Sequence, residues 1–168
     1  MLEKNKIDFN IQNEDGITGF MLACKNNPDL ALKMLERDDI NLNIQDDFNT
    51  TGFLLSCKYQ PEVALKMLER NDIDFNLQND DGYTGFMFAC LNQPEVAMAM
   101  LERDDIDFNI QDNFNTTGFL LSCKYQPEVA LKMLNKNDID FNIQNRDGTT
   151  GFMNACLNQP KLIIPMLE

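Results

Sequence analysis

Two kinds of side chain in this 168-residue sequence are numerous enough to do chemistry: thiols and carboxylates. Five cysteines, Cys24, Cys57, Cys90, Cys123 and Cys156, stand 33 residues apart. A thiolate binds zinc or acts as a nucleophile only with suitable companions nearby. No Cys pair has zinc-ligand spacing, and the chain contains no histidine. That absence removes His-based general-base catalysis and every triad that uses imidazole. The 27 acidic residues suggest calcium instead. An EF-hand loop needs oxygen ligands at its first, third and fifth positions, followed by glycine. With Gly82 as that glycine, Leu77 falls at the first position, so the match fails. No phosphate-cradling glycine loop is present. The sequence predicts no enzyme, no metal site and no cofactor.

The spacing of the cysteines is a property of the whole chain. Ile7, Ile40, Ile73, Ile106 and Ile139 recur at the same 33-residue period, as do Pro28, Pro61, Pro94, Pro127 and Pro160. Such regularity predicts a solenoid, in which each unit buries its apolar face against its neighbours. Residues 1–168 read as one domain, with units 7–39, 40–72, 73–105, 106–138 and 139–168. Residues 1–6 read as the remnant of a preceding unit. Equivalent helices in a stack lie about 8–10 Å apart, whereas a disulfide needs Cα atoms within about 7 Å. The five cysteines are therefore expected to be unpaired, small and buried, in a reducing compartment.

The formal net charge of −13 argues against nucleic acid and anionic membranes as partners. It fits a partner with a basic surface, or simple solubility. No stretch approaches the roughly 18 apolar residues of a spanning helix. The first ten residues lack the apolar run of a signal peptide. The expected location is the cytoplasm, or a host cytosol if a virus or intracellular organism encodes the chain.

Within one unit, Ile7 to Ile11 alternates apolar and polar residues and predicts a short extended arm. Asn13-Glu14-Asp15-Gly16 then signals a turn. The units carry Gly16, Asn49, Gly82, Asn115 and Gly148 at its last position, the residue types that tolerate left-handed backbone. Thr18 reads as the N-cap of a first helix running to Asn26. Pro28 reads as the first residue of a second helix, with Asp29 at its positive end. Leu30, Met34 and Leu35 share its expected core face.

This order resembles the ankyrin repeat, whose motif has Gly, any residue, then Thr-Pro-Leu-His-Leu-Ala-Ala, and later Asp-Val-Asn. Gly16 to Cys24 occupies the first stretch and Asn41-Leu42-Asn43 the second. The resemblance implies an all-α repeat solenoid, an ankyrin-like stack of five helix-turn-helix units joined by β-turn or hairpin fingers. There are departures. The family's Pro is Gly19, Gly52, Gly85, Gly118 and Gly151; its His is Met21, Leu54, Met87, Leu120 and Met153. This dialect is similar to divergent arrays of protists or large viruses. Units two and four match at 28 of 33 positions, which indicates a 66-residue duplication.

The resemblance also implies a non-catalytic protein-interaction module that binds through turn tips and a concave first-helix face. Those positions carry Phe48, Thr50, Lys58 and Tyr59, then Asp80, Asp81, Tyr83 and Leu91, then Phe114, Thr116, Lys124 and Tyr125. Aromatic residues beside lysines suit interface hot spots. The alternative is that Phe48 and Phe114 fold back on the neighbouring turn. Asn43, Asn76 and Asn109 match the family's Asp-Val-Asn asparagine, a possible hydroxylation site, or else a structural residue bonded to turn backbone. A second reading makes the chain a stacking segment of a longer scaffold. It would self-associate through its ends, where Leu162, Ile163 and Ile164 are unusually apolar and Pro165 interrupts the helix.

Overall fold

The computed structural model describes residues 7–168. The proposed unit remnant at residues 1–6 lies outside them. The described residues form short helices in pairs: Gly19–Asn26 (α1) with Pro28–Met34 (α2), Gly52–Tyr59 (α3) with Pro61–Met67 (α4), and Gly85–Asn92 (α5) with Pro94–Met100 (α6). Then come Gly118–Tyr125 (α7) with Pro127–Met133 (α8), and Gly151–Asn158 (α9) with a 3-10 turn, Pro160–Leu162, leading into Ile163–Leu167 (α10). The first helices pack in sequence as one layer; α2, α4, α6 and α8 form a second. The chain is an all-α solenoid. No β-strand occurs among the described residues; one isolated bridge joins Gln12 to Thr18.

Local chemistry explains the boundaries. Thr18 Oγ1 accepts from the Met21 N–H at 3.2 Å, and Thr51, Thr84, Thr117 and Thr150 cap their helices alike. Asn27 leaves the helical region before Pro28 and accepts from the Leu30 N–H at 3.1 Å. The turn position is left-handed in every unit, including Asn49 at φ 56° and Asn115 at φ 58°.

The segment expected as an extended arm is instead a turn at Phe9–Asn10. Asp8 Oδ1 accepts from the Asn10 N–H at 2.9 Å, and this local bond wins over strand pairing. The asparagines that follow bridge units. Asn43 Nδ2 donates to the Asp72 carbonyl at 2.8 Å, and its Oδ1 accepts from the Asp74 N–H at 2.8 Å. Asn76 and Asn109 repeat both bonds one and two units on. A glutamine ladder does the same for the turns: Gln45 Nε2 donates to the carbonyls of Asn49 and of Gln78.

The glycine that replaces the family's proline has a packing role. A Cβ on Gly85 would lie 2.4 Å from Phe53 Cε1 and 3.2 Å from Cys57 Sγ. Gly52, Gly118 and Gly151 receive Phe20, Phe86 and Phe119 in the same way. Each Phe is a knob in the cleft of the next unit, and all four are at most 2% exposed. Phe53, Phe86 and Phe119 also meet Phe75, Phe108 and Phe141 edge-on at 4.8 Å.

Position in the stack overrides sequence at the ends. Leu30 is exposed rather than in the core, because its equivalents Val63, Val96 and Val129 are covered by a preceding second helix. Cys24, Cys57, Cys90 and Cys123 are buried and unpaired, but Cys156 is exposed. Leu162 is fully buried, so it is not a docking residue; Ile163 is half-buried and Ile164 exposed. Pro165 does not break the helix. The preceding 3-10 turn places it in the first turn of α10, where no N–H is required of it.

Burial raises the thiols of Cys24, Cys90 and Cys123 to about 12 and lifts Cys57 well above its ordinary value. Under native conditions a maleimide is expected to label Cys156 alone, and in denaturant all five cysteines. Mass spectrometry reads the count, and rapid native labelling of a second thiol would contradict this packing.

Candidate interaction groove

The site begins at the turn tips. Asp112 is buried, and its Oδ1 accepts from the N–H groups of Phe114 at 2.8 Å and Thr116 at 2.7 Å. The left-handed Asn115 then reverses the chain. With its backbone so held, Phe114 projects its ring outward, 59% exposed, with the Arg146 guanidinium 5.3 Å from its centre. Unit two repeats the arrangement: Asp46 accepts from Phe48 and Thr50, and Phe48 is 65% exposed. The carbonyls of Phe48 and Phe114 accept from the N–H groups of Asp80 and Arg146 in the next tips. The backbone of each aromatic tip is therefore structural, while its ring remains largely free.

The first-helix layer supplies the other wall. Lys124 Nζ lies 4.9 Å from the Tyr125 ring centre, and Lys58 Nζ lies 5.3 Å from both Tyr59 and Phe88. Tyr59 and Tyr125 are exposed at the ends of α3 and α7. Tyr83 is half-buried and stacked on Phe88 at 5.1 Å. Burial foremost, then the carboxylates of Asp112 and Asp81, keeps its phenol protonated above the ordinary range.

Between these walls runs a groove of about 410 Å³. It brings together Tyr83, Leu91, Phe114, Thr116, Lys124 and Tyr125 from the sequence-derived set. Asp112, Leu120, Leu121, Asn145, Asp147, Thr149 and Asn154 join them. Phe48, Thr50, Lys58, Tyr59, Asp80 and Asp81 do not line it. The reason lies one unit on from each aromatic tip. After unit two, Tyr83 and Phe88 fill the space by stacking on each other. After unit four, the same two positions hold the smaller Thr149 and Asn154, which leave it open. Asp80 also has structural work: its Oδ1 accepts from Asn49 Nδ2 at 2.6 Å. Sequence reasoning overlooked Asp112 and Asn154. Their signals were the exchange of Asn for Asp at the turn's first position, and of Leu or Phe for Asn in the middle of α9.

Among the described residues no group of three or more His, Cys, Asp or Glu side chains could hold a metal ion. Among them too, no helix is long and apolar enough to cross a membrane. The ion pairs are surface features. Arg70 and Arg103 fork onto Asp72 and Asp105 and also donate to the Leu35 and Leu68 carbonyls of the preceding unit. The arginines' hydrogen bonds hold both carboxylates below their ordinary range. A depressed carboxylate stabilises the fold above its unfolded pKa and loses that effect as pH falls through the folded one. Native protein should therefore melt above an Asp72→Asn/Asp105→Asn variant at neutral pH, with the gap closing below about pH 4. A gap independent of pH would refute the linkage.

An open groove on a stack of helix pairs defines a repeat-solenoid protein with a surface site rather than an enclosed one. The model for ankyrin repeats, three copies, matches residues 20–112, and the chain belongs to the ankyrin repeat family. Proteins of this family are generally protein–protein interaction modules and typically not enzymes. No curated protein matches the sequence. Among solved structures, the fold is similar to one chain of the complex between the predatory endopeptidase Bd0816 from Bdellovibrio bacteriovorus and immunity protein Bd3460. The TM-score is 0.76 at 23% identity, covering 96% of this chain and 86% of that one. At this identity the likeness is one of fold.

Proposed function

We propose that the chain binds a partner protein, without catalysis, through its turn tips and first-helix layer, with the groove beside Phe114 and Tyr125 as the principal contact. The observation that carries this reading is the exposure of two aromatic side chains, Phe114 and Tyr125, on opposite walls of one groove. Exposed aromatics held by rigid backbone offer apolar area at low entropic cost. Asp112 and Asp147 line the same groove, and the net charge is −13, so a segment bearing Lys or Arg is the complementary ligand. The similar fold occurs in an endopeptidase–immunity protein complex, a protein–protein assembly, which agrees with this class of function. Hydroxylation of Asn43, Asn76 or Asn109 remains a separate proposal. Both ends of each amide are already bonded, the Nδ2 to the last residue of its own unit and the Oδ1 to the next unit, and unchanged intact mass after exposure to an asparaginyl hydroxylase would dismiss it.

The test is affinity capture from extract with native chain and with a Phe48→Ala/Tyr59→Ala/Phe114→Ala/Tyr125→Ala variant, followed by calorimetry on the captured protein. Loss of the four aromatics is expected to weaken binding at least about tenfold with an unchanged melt. Phe114→Ala/Tyr125→Ala alone should account for most of that loss. Equal affinity for native chain and variant would overturn the assignment.

A further inference from the structure

Units two and four present the same residues to two different neighbours. Residues 48–61 and 114–127 are identical, so each first helix ends in the same Lys-Tyr pair beside the same exposed Phe tip. In unit two a ring lies against that pair. Lys58 Nζ is 5.3 Å from the centre of the Phe88 ring, which stacks on Tyr83 at 5.1 Å and is buried. In unit four Lys124 keeps its contact with Tyr125 at 4.9 Å, but Asn154 holds the place of Phe88 and Thr149 that of Tyr83. Lys124, Tyr125, Thr149 and Asn154 all line the open groove. The opening does not depend on where the chain ends. Asn154 Nδ2 donates back to the Leu120 carbonyl of unit four at 3.2 Å. Thr149 is half-buried, as are its interior equivalents Thr50, Tyr83 and Thr116.

We propose that the groove takes an aromatic side chain of the partner protein, its ring against Lys124 as the Phe88 ring lies against Lys58. This rests on the groove being the partner site and adds the chemistry of what enters it. Phe88 acts as a tethered copy of the ligand group, because an identical Lys-Tyr pair already holds a ring in unit two. Charge complementarity points the same way. The Lys124 ammonium attracts the negative face of a ring, whereas it would repel a Lys or Arg placed at the same spot. Asp147, which also lines the groove, offers its carboxylate to a basic residue next to the aromatic one. The partner segment is thus an aromatic residue with Lys or Arg beside it.

The probes are acetyl-Gly-Lys-Phe-Lys-Gly-amide and its counterparts with Leu or Ala in place of Phe. Titrated into isotope-labelled chain, the Phe peptide is expected to shift the NMR signals of Lys124, Tyr125, Thr149 and Asn154. It should bind about tenfold more tightly than the Ala peptide, the effect of burying one ring. It should also exceed the Leu peptide, which has no π face for the ammonium. Thr149→Tyr/Asn154→Phe rebuilds the internal rings of unit three and should abolish these shifts, with circular dichroism and a thermal melt confirming the fold. Lys124→Gln, a change at an exposed position, should erase the preference for Phe over Leu and decides the matter even if the filled variant does not fold. The inference is overturned if the Phe peptide shifts none of these signals, if the Leu peptide binds native chain as tightly, or if either variant behaves as native chain does. Failure of the partner site itself reads differently: native chain and the Phe114→Ala/Tyr125→Ala variant would then bind captured protein alike. A captured partner that needs Phe114 and Tyr125, yet binds the folded, filled variant at full strength, would refute this inference alone.

Discussion

Replacing Gly85 by alanine is expected to lower stability by about 2–4 kcal/mol, the range for overpacking a tight interior or losing core contacts. The added Cβ would sit 2.4 Å from Phe53 Cε1. Phe53 has little room to yield, since it is 1% exposed and wedged edge-on against Phe75. Relief requires separating α3 from α5, which loosens the layer on which the tips are mounted. The same substitution at Gly19 meets no atom of the described residues within 4 Å. Its effect should be small and of opposite sign, because alanine loses less backbone freedom than glycine. Urea melts of the two variants make the comparison at constant chemistry. Equal effects would mean that the glycines serve local backbone conformation and that the knob-and-cleft account is wrong.

Removing the Asp112 carboxylate should be the other large perturbation. Asp112→Ala leaves the Phe114 and Thr116 N–H groups without their acceptor in a buried corner of the turn. Orphaned donors cost about 1–3 kcal/mol each, less where water enters. A net loss of about 2–3 kcal/mol is expected, with the Phe114 tip freed and partner affinity falling in parallel. Asp112→Asn should be nearly silent. Units one, three and five already use asparagine here: Asn13, Asn79 and Asn145 accept the same bond from Ile17, Tyr83 and Thr149 at 2.8–2.9 Å. Chemical denaturation separates these outcomes. An Asn variant as unstable as the Ala variant would show that the negative charge, and not the acceptor, matters.

Much of this architecture was legible in the sequence because a repeat states each instruction five times. The Thr caps, the Pro starts and the Gly or Asn turn all act through bonds within a few residues, so periodicity alone places them. The period also predicted unpaired, buried cysteines, which holds for four of the five, while the resemblance to ankyrin repeats placed Phe114 and Tyr125 among turn-tip and first-helix positions. It misjudged the segment after Ile7, where Asp8 closes a local turn that alternation cannot distinguish from an arm.

Tertiary structure decided three things that no period contains. Residues 48–61 and 114–127 are identical, yet only the second copy borders the open groove. The difference comes from the following unit, where Tyr83 and Phe88 fill what Thr149 and Asn154 leave empty. Likewise the glycine that replaces the family's proline has its packing role only through the preceding unit, whose Phe lies where a Cβ would be. Finally, Cys123 and Cys156 hold the same place in the repeat, but one is buried and the other exposed, because burial depends on having a neighbour on that side. Local bonding is encoded within each unit and recurs with it. Packing, exposure and the shape of the groove belong to pairs of units, and so to the stack.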